Sequence, residues 1–345
     1  IPVTLVYYKS LHSAYHIPCD EKNALLRDRF NNIWLGSIGG GVLMIDTKQS
    51  PFAFYSLNLA EDDVPTTAVR ALFADADKDL WLGTGSYGLA RKDYETGVLS
   101  FFSHIPEFSD IPSVPTVNYI IQRKNGEVWF ATYDGGILIY EKGEKVKVLT
   151  ESDTPYLYSD CVSALCEDSK GNCWVGCRGG MGISLADGGN YRFGTLSFAG
   201  GGLADWYHVK DIVEDADGSF WIATAKYGII HIMGDVQHPE TLKYSNYSYN
   251  NGQLATNSVL CLHVDKSGRL WAGTEGGGLY LYDYKENVFT EKNQEYQLSA
   301  DMIGSIEEDR QGCLWRGTNM VLVQLFVPIE ENLATVRVST TADGL

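Results

Sequence analysis

Seven tryptophans recur along the chain at intervals of 44 to 50 residues. They are Trp34, Trp81, Trp129, Trp174, Trp221, Trp271 and Trp315. A repeat of about this length with one aromatic anchor per unit is typical of a β-propeller, in which each unit is a four-stranded blade. Seven such units use nearly all of the 345 residues. The spacing therefore predicts an all-β fold, a seven-bladed β-propeller of four-stranded antiparallel blades.

The residues around each tryptophan predict how a blade is built. Asp stands six positions before six of the seven tryptophans, and Gly is frequent between the two, as in Asp265-Lys-Ser-Gly-Arg-Leu-Trp271. Asp and Gly between apolar runs indicate a hairpin turn. Gly or Ala stands two positions after every one of these tryptophans. A small residue there lets neighbouring blades pack closely.

The two ends of the chain are predicted to close the ring of blades. The segment Val3–Tyr8 resembles an outer blade strand, and we expect it to pair with the last blade and so hide two exposed sheet edges. Residues 1–345 would then form one propeller domain. The tail 335–345 either competes for that edge or leads into a further propeller. The chain starts without a basic, apolar signal segment, so we expect a processed form or a fragment of a larger protein.

Composition excludes some classes of partner. The net charge of −17 disfavours binding to nucleic acid or to an anionic membrane, because both need a cationic surface. The seven cysteines include no Cys-x-x-Cys pair, and we interpret them as small buried hydrophobic residues. A disulfide between two of Cys166, Cys173 and Cys177 is the alternative.

Several acidic and histidine patterns have a structural interpretation. The acid-rich segments at Asp75 and Asp215 lack the Glu that closes a calcium loop, and they fall on predicted turns. Acid pairs such as Glu167-Asp168 and Glu214-Asp215 are expected to be solvated strand ends. His12 and His16 have no evident third ligand. We therefore expect no metal, no cofactor and no catalytic residue in this chain.

The unit from Val259 to Leu279, with Asp265, Trp271, Gly273-Thr274 and Gly277-Gly278, resembles the two-component regulator propeller repeat. This resemblance covers about residues 20–325. It implies a non-enzymatic sensor module from the periplasmic part of a Bacteroidetes hybrid two-component system, one that responds to a glycan-derived oligosaccharide. The neighbouring propeller and the kinase domains would be its partners, and ligand binding would bias the arrangement of propellers or of a homodimer.

The residues that differ between blades are the candidates for binding. In propellers, the loop between the second and third strands and the loop between blades emerge on one face. Trp206 is the one tryptophan outside the repeat, and with Tyr207 it offers a stacking surface for a sugar ring. We therefore predict that Trp206→Ala weakens binding. The predicted ligand-binding residues are Tyr87, Tyr133, Asp134, Arg178, Trp206, Tyr207, Tyr227 and Glu275.

Two other functions remain open on the sequence. One is a propeller-fold polysaccharide lyase or glycoside hydrolase, which would bring acids or histidines together at the same face and release product from a glycan. The other is a protein-interaction scaffold without a small ligand.

Overall fold

The computed structural model describes residues 22–27, 33–37, 41–45, 68–85, 87–193, 208–238, 241–296, 298, 302–318, 321–327 and 335–339. The chain divides into two compact units, one of residues 1–56 with 341–345 and the other of residues 57–340. In the first unit, β1 (Lys22–Arg27), β2 (Ile33–Ser37) and β3 (Gly41–Ile45) form an antiparallel sheet in that order.

The second unit contains six four-stranded antiparallel sheets, each named here by its tryptophan. The Trp81 blade consists of β4 (Val69–Ala74), β5 (Leu80–Thr84), β6 (Leu89–Lys92) and β7 (Leu99–Phe101). The Trp129 blade consists of β8 (Val117–Gln122), β9 (Val128–Thr132), β10 (Ile137–Tyr140) and β11 (Lys147–Leu149). The Trp174 blade consists of β12 (Val162–Glu167), β13 (Cys173–Cys177), β14 (Gly180–Ser184) and β15 (Asn190–Phe193).

The other three blades follow the same order of strands along the chain. The Trp221 blade consists of β16 (Val209–Glu214), β17 (Phe220–Thr224), β18 (Ile229–Met233) and β19 (Lys243–Tyr247). The Trp271 blade consists of β20 (Val259–Val264), β21 (Leu270–Thr274), β22 (Leu279–Asp283) and β23 (Val288–Glu291). The Trp315 blade consists of β24 (Ile303–Glu308), β25 (Leu314–Thr318), β26 (Leu322–Phe326) and β27 (Thr335–Ser339).

The prediction of seven four-stranded blades in a ring closed by the chain ends is wrong. Six blades have four strands, whereas the Trp34 sheet has three in the part that the structure describes. The edge of β26 is occupied by β27, which pairs with it over five residues. A strand that follows closely in sequence loses less loop entropy on pairing than one from the far end of the chain. Val3–Tyr8 lies outside the described residues, and no hydrogen bond between described strands closes the ring.

The first strand of each blade is called here the inner strand. It begins with a bulge that sets its register. In the Trp129 blade, Val117 pairs with Thr132, and the next pair is Tyr119 with Ala131, so Asn118 is the extra residue. The same shift follows the first residue of β4, β12, β16, β20 and β24. A bulge redirects the side chains around it. The second residue of each inner strand is therefore placed differently from the rest of the strand.

The core lies between neighbouring blades. One buried cluster joins Trp174 and Ile183 of one blade to Ile212 and Ile222 of the next. A Cβ at Gly176 would lie 2.5 Å from Val209 of the following blade, and one at Gly273 would lie 2.7 Å from Ile303. The predicted role of the small residue after the tryptophan is confirmed, because a larger side chain there would separate the blades.

Candidate functional site

One end of each blade, called here the turn end, is built around the tryptophan and the acid before it. The indole N–H donates to that acid at 2.8–3.2 Å in five blades, in the pairs Trp81–Asp75, Trp174–Asp168, Trp221–Asp215, Trp271–Asp265 and Trp315–Asp309. The hydrogen bonds from Trp315 and from the Cys313 amide hold the pKa of Asp309 below its usual value. The interpretation of the segments at Asp75 and Asp215 as turns is confirmed.

The Trp129 blade makes the same connection with different residues. Arg123 occupies the position of the turn acid, and the Trp129 N–H donates instead to Glu127 at 2.9 Å. The Arg123 guanidinium lies 4.8 Å from the centre of the Trp129 ring, and its Nε is 3.2 Å from Glu167 of the next blade. The exchange of an acid for a base is therefore compensated locally, and it marks no site.

The acid pairs are not solvated strand ends, so that expectation is wrong. Glu167 accepts the Lys124 amide at 2.6 Å, Glu214 accepts the Ser169 amide at 2.6 Å, and Glu308 accepts the Lys266 amide at 2.8 Å. In each case the last residue of an inner strand reaches the turn of the preceding blade. These carboxylates tie adjacent blades together, because a charged acceptor strengthens a hydrogen bond to a backbone amide.

The series is interrupted at Val264, whereas Gln122, Glu167, Glu214 and Glu308 occupy this position in four other blades. The amide of Ala216 has no carboxylate from the next blade and donates instead to Asp215 of its own turn at 2.7 Å. An open cavity of about 520 Å³ lies at this place, between the turns of the Trp221 and Trp271 blades. Its lining includes Glu214, Asp215 and Asp265.

The opposite end of the blades, called here the mouth end, brings two loops of each blade together. The residue that follows the second strand donates its amide to the carbonyl of the residue before the inner strand. The distances are 2.9–3.0 Å in the pairs Gly85–Ala68, Tyr133–Thr116, Arg178–Cys161, Ala225–His208 and Glu275–Ser258. The positions that vary most between blades therefore lie beside the start of the inner strands.

The structure brings three of the predicted ligand-binding residues together at the mouth end. Tyr133, Asp134 and Arg178 surround Cys161: Tyr133 forms a β-bridge with Cys161, and the Arg178 amide donates to its carbonyl. The Tyr133 side chain is 43% exposed. Asp134 and Arg178 are exposed as well.

The other predicted residues belong to separate blades. Tyr87 is 40% exposed and lies edge-on to Phe101 with 5.7 Å between ring centres. Tyr227 is half-buried, and its amide donates to the Thr224 hydroxyl at 2.9 Å. Glu275 is exposed and accepts the Ser258 hydroxyl at 2.8 Å. Trp206 and Tyr207 lie outside the described residues.

Three further residues complete the Tyr133 group, and sequence reasoning missed two of them, Cys161 and Lys210. Cys161 Sγ lies 3.8 Å from His208 Nε2, and Lys210 follows His208 at the start of β16. His208 has a φ of 43° and Asp134 a φ of 115°, which residues with a side chain seldom adopt. Such strain is concentrated at functional sites. Comparing the first two residues of every inner strand would have found Lys210.

The Cys161–His208 pair is uncharged at neutral pH. Burial, and then the charges of Lys210 and Arg178, lower the pKa of His208. Burial, and then the charge of Asp134, raise the pKa of the Cys161 thiol. A reactive cysteine needs a lowered pKa, so the raised pKa of Cys161 disfavours a role as nucleophile. All six cysteines in the described part of the chain are free thiols.

A second set of polar contacts joins the inner strands of three blades. Tyr119 of β8 donates its hydroxyl to Asp211 of β16 at 3.2 Å, past the intervening strand β12. The other oxygen of Asp211 accepts the Leu262 amide at 2.8 Å. Burial raises the pKa of Asp211 to about 6, although these hydrogen bonds favour the charged form.

Neither a metal site nor a membrane span is found among the residues that the structure describes. No three His, Cys, Asp or Glu side chains there are placed to hold a metal ion. No helix in the same part of the chain is long and apolar enough to cross a membrane.

Residues 159–179 and 253–276 match the family model of the two component regulator propeller. These segments contain the turn, the tryptophan and the small residue of the Trp174 and Trp271 blades. The chain carries two-component regulator propeller repeats. No curated protein matches the chain.

Solved structures are similar to the chain at low sequence identity. One is the extracellular domain of a protein from B. thetaiotaomicron assigned as a hybrid two-component system, with 19% identity over 91% of this chain and 50% of that one, at a TM-score of 0.48. Another is PorZ of the type-IX secretion system of Porphyromonas gingivalis, with 16% identity over 93% and 50% of the two chains, at a TM-score of 0.48.

A third similar structure comes from Bacteroides uniformis, a protein assigned as a 6-phosphogluconolactonase. It shares 12% identity over 90% of this chain and 92% of that one, at a TM-score of 0.54. At this identity the similarity shows the propeller fold alone. The chain spans about half the length of the two-component and PorZ structures that it matches.

Proposed function

We propose that this chain is a ligand-recognition module of a two-component sensor, and that its mouth end binds a glycan-derived oligosaccharide. The match to the two-component regulator propeller repeat carries the proposal. The module would act on the periplasmic side of a membrane, next to a further propeller, and a kinase elsewhere in the protein would receive the signal.

The surface chemistry of the mouth end supports a sugar ligand. Tyr87 and Tyr133 present exposed rings at the start of the loops that follow β5 and β9. An aromatic plane suits the C–H face of a sugar ring, and a few polar groups beside it orient the hydroxyls. Asp134, Arg178 and Glu275 are exposed polar groups on the same kind of loop.

A signal would pass by population shift. A ligand that binds one arrangement of the sensor more tightly than another moves the equilibrium toward the first. Because the blades are tied to each other at the turn end by carboxylates, we expect each blade group to move as a rigid body. The ligand would then change how the propeller meets its neighbours.

Calorimetric titration with a panel of neutral and acidic oligosaccharides tests this proposal. We expect at least one member to bind without being consumed, and Tyr133→Ala to weaken that binding by about tenfold. Tyr94→Ala is the matched control, because Tyr94 is 61% exposed but lies at the turn end, with its amide bonded to Asp79.

Three results would contradict the proposal. Absence of binding by every oligosaccharide would exclude a sugar sensor for this chain. Release of shorter products during incubation would identify an enzyme. Equal loss of affinity in Tyr133→Ala and Tyr94→Ala would move the site away from the mouth end.

A further inference from the structure

We infer that the oligosaccharide bound at the mouth end carries a carboxylate, as a uronic acid does, and that Arg178 and Lys210 bind this group. The inference rests on the proposed function, because it specifies the charge of the ligand for the same site. It follows from the position and the pairing of these two cations.

Arg178 and Lys210 belong to one site although they come from different blades. The Arg178 amide donates to the Cys161 carbonyl at 2.9 Å, and Cys161 Sγ lies 3.8 Å from His208 Nε2. Lys210 comes two residues after His208. The Ser163 hydroxyl also donates to the Val209 carbonyl at 2.5 Å, which fixes the start of β16 against β12.

In two of the other four-stranded blades, the residue at the Lys210 position bonds to the next blade. It is the second residue of the inner strand, and at that position Asn118 donates to the Val162 carbonyl at 3.1 Å and Ser163 donates to the Val209 carbonyl. Lys210 makes no such bond within the part of the chain that the structure describes. It is half-buried and lies at the start of β16, at the mouth end.

Arg178 is likewise available for a ligand. Its side chain is exposed and forms no ion pair with any residue in the described ranges. Two cations at the turn end, in contrast, are paired: Arg269 with Asp265 at 2.6 Å and Lys142 with Asp77 at 2.8 Å. An unpaired guanidinium can bind a carboxylate through two parallel hydrogen bonds.

The local charge favours an anion despite the acidity of the whole chain. The negative charge of Asp134 raises the pKa of Cys161. The positive charges of Arg178 and Lys210 lower the pKa of both Cys161 and His208. Two positive charges and one negative charge therefore influence this pair of side chains. More distant acids contribute little, because exposed charges are screened beyond roughly 8 Å at physiological ionic strength. Tyr133, which bridges Cys161 from the other side, offers a ring for the sugar.

Titration calorimetry with three trisaccharides of matched length tests the inference. The probes are trigalacturonate, its fully methyl-esterified form and a sulfated galactose trisaccharide. We expect trigalacturonate to bind at least about tenfold more tightly than the ester, and Arg178→Gln and Lys210→Met each to remove about tenfold of that affinity. Lys243→Gln is the control for net charge, because Lys243 is exposed on the outer strand β19.

The possible results separate the two proposals. Equal binding of trigalacturonate and its ester, or unchanged affinity in both cation variants, would overturn the inference and leave the sensor proposal intact. Binding of the sulfated probe alone would replace the carboxylate with a sulfate ester. If neutral oligosaccharides bind and none of the acidic ones does, the inference fails by itself. Absence of binding by all probes and by the neutral panel would overturn the sensor proposal.

Discussion

The turn end and the mouth end of the blades use similar polar residues in opposite ways. At the turn end, acids repeat at fixed positions and are consumed by bonds to the indole N–H and to the amides of the neighbouring blade. At the mouth end, residue types change from blade to blade, and Tyr87, Tyr133, Asp134 and Arg178 are exposed. Repetition therefore marks what holds the blades together, and variation with exposure marks what is available to a ligand.

Exposure matters as much as variation in this comparison. Asp211 also stands at a varying position, the third residue of the inner strands, where the other blades carry Ala71, Tyr119, Ala164, Cys261 and Ser305. It is nevertheless buried and bonded to Tyr119 and Leu262. A varying residue can thus belong to the interior, and variation alone does not locate a binding site.

The largest expected effect on stability comes from removing the acid of a turn. Asp265→Ala removes the acceptor for the Trp271 indole, the Arg269 guanidinium and two backbone amides. We expect the free energy of unfolding to fall by about 3 kcal/mol, because buried donors lose a charged partner. Urea denaturation measures it. Glu275→Ala at the mouth end is the control and should change stability by less than about 0.5 kcal/mol. Equal losses would invalidate the division between the two ends.

The next effect tests whether a varying residue can be structural. The folded state holds the proton of Asp211 up to about pH 6, whereas an unfolded Asp releases it near pH 4. Stability from this residue is therefore greatest at low pH and falls as the pH rises from about 4 to 6. Relative to Asp211→Asn, the natural protein should lose up to about 3 kcal/mol between pH 4 and pH 7.

Urea denaturation of both proteins at the two pH values checks this prediction. The difference between them isolates Asp211, because all other titratable groups are shared. Parallel pH profiles would mean that Asp211 is solvated, and the third position of the inner strands would then become a candidate for ligand binding.

The smallest effect concerns the ties between blades. Glu214 accepts both the amide and the hydroxyl of Ser169 at 2.6 Å. Glu214→Val copies the residue found at Val264, where the tie is missing. We expect a loss of about 1.5 kcal/mol in the free energy of unfolding, since two charge-assisted bonds disappear at a half-buried position. An unchanged denaturation midpoint would show that these hydrogen bonds orient the blades without stabilising the folded state.

The sequence predicts the blade well because the blade is local. The hairpin turn, the tryptophan and the small residue lie within one repeat, and their contacts follow from spacing alone, as Asp265, Trp271 and Gly273 show. The number of complete blades was not predictable in this way. The partner of β26 was not predictable either, because β27 occupies the edge that the sequence pattern assigned to Val3–Tyr8.

The candidate site divides along the same line. Tyr133 and Arg178 were found from their position after the second strand, which every blade shares. Cys161 and Lys210 were missed, because the ends of their strands meet only when β12 and β16 pack side by side. The acid pairs were misinterpreted for the same reason, since their amide partners belong to the preceding blade.

The sequence by itself determined the all-β repeat, the residues that build each blade and the family of the repeat. Periodic contacts over a few residues are sufficient for these features. Only the tertiary structure decided that six blades have four strands, that acids tie one blade to the next, and that Cys161 lies beside His208. The bonds between blades join residues about one repeat apart, and the pattern within a repeat does not encode which of these partners meet.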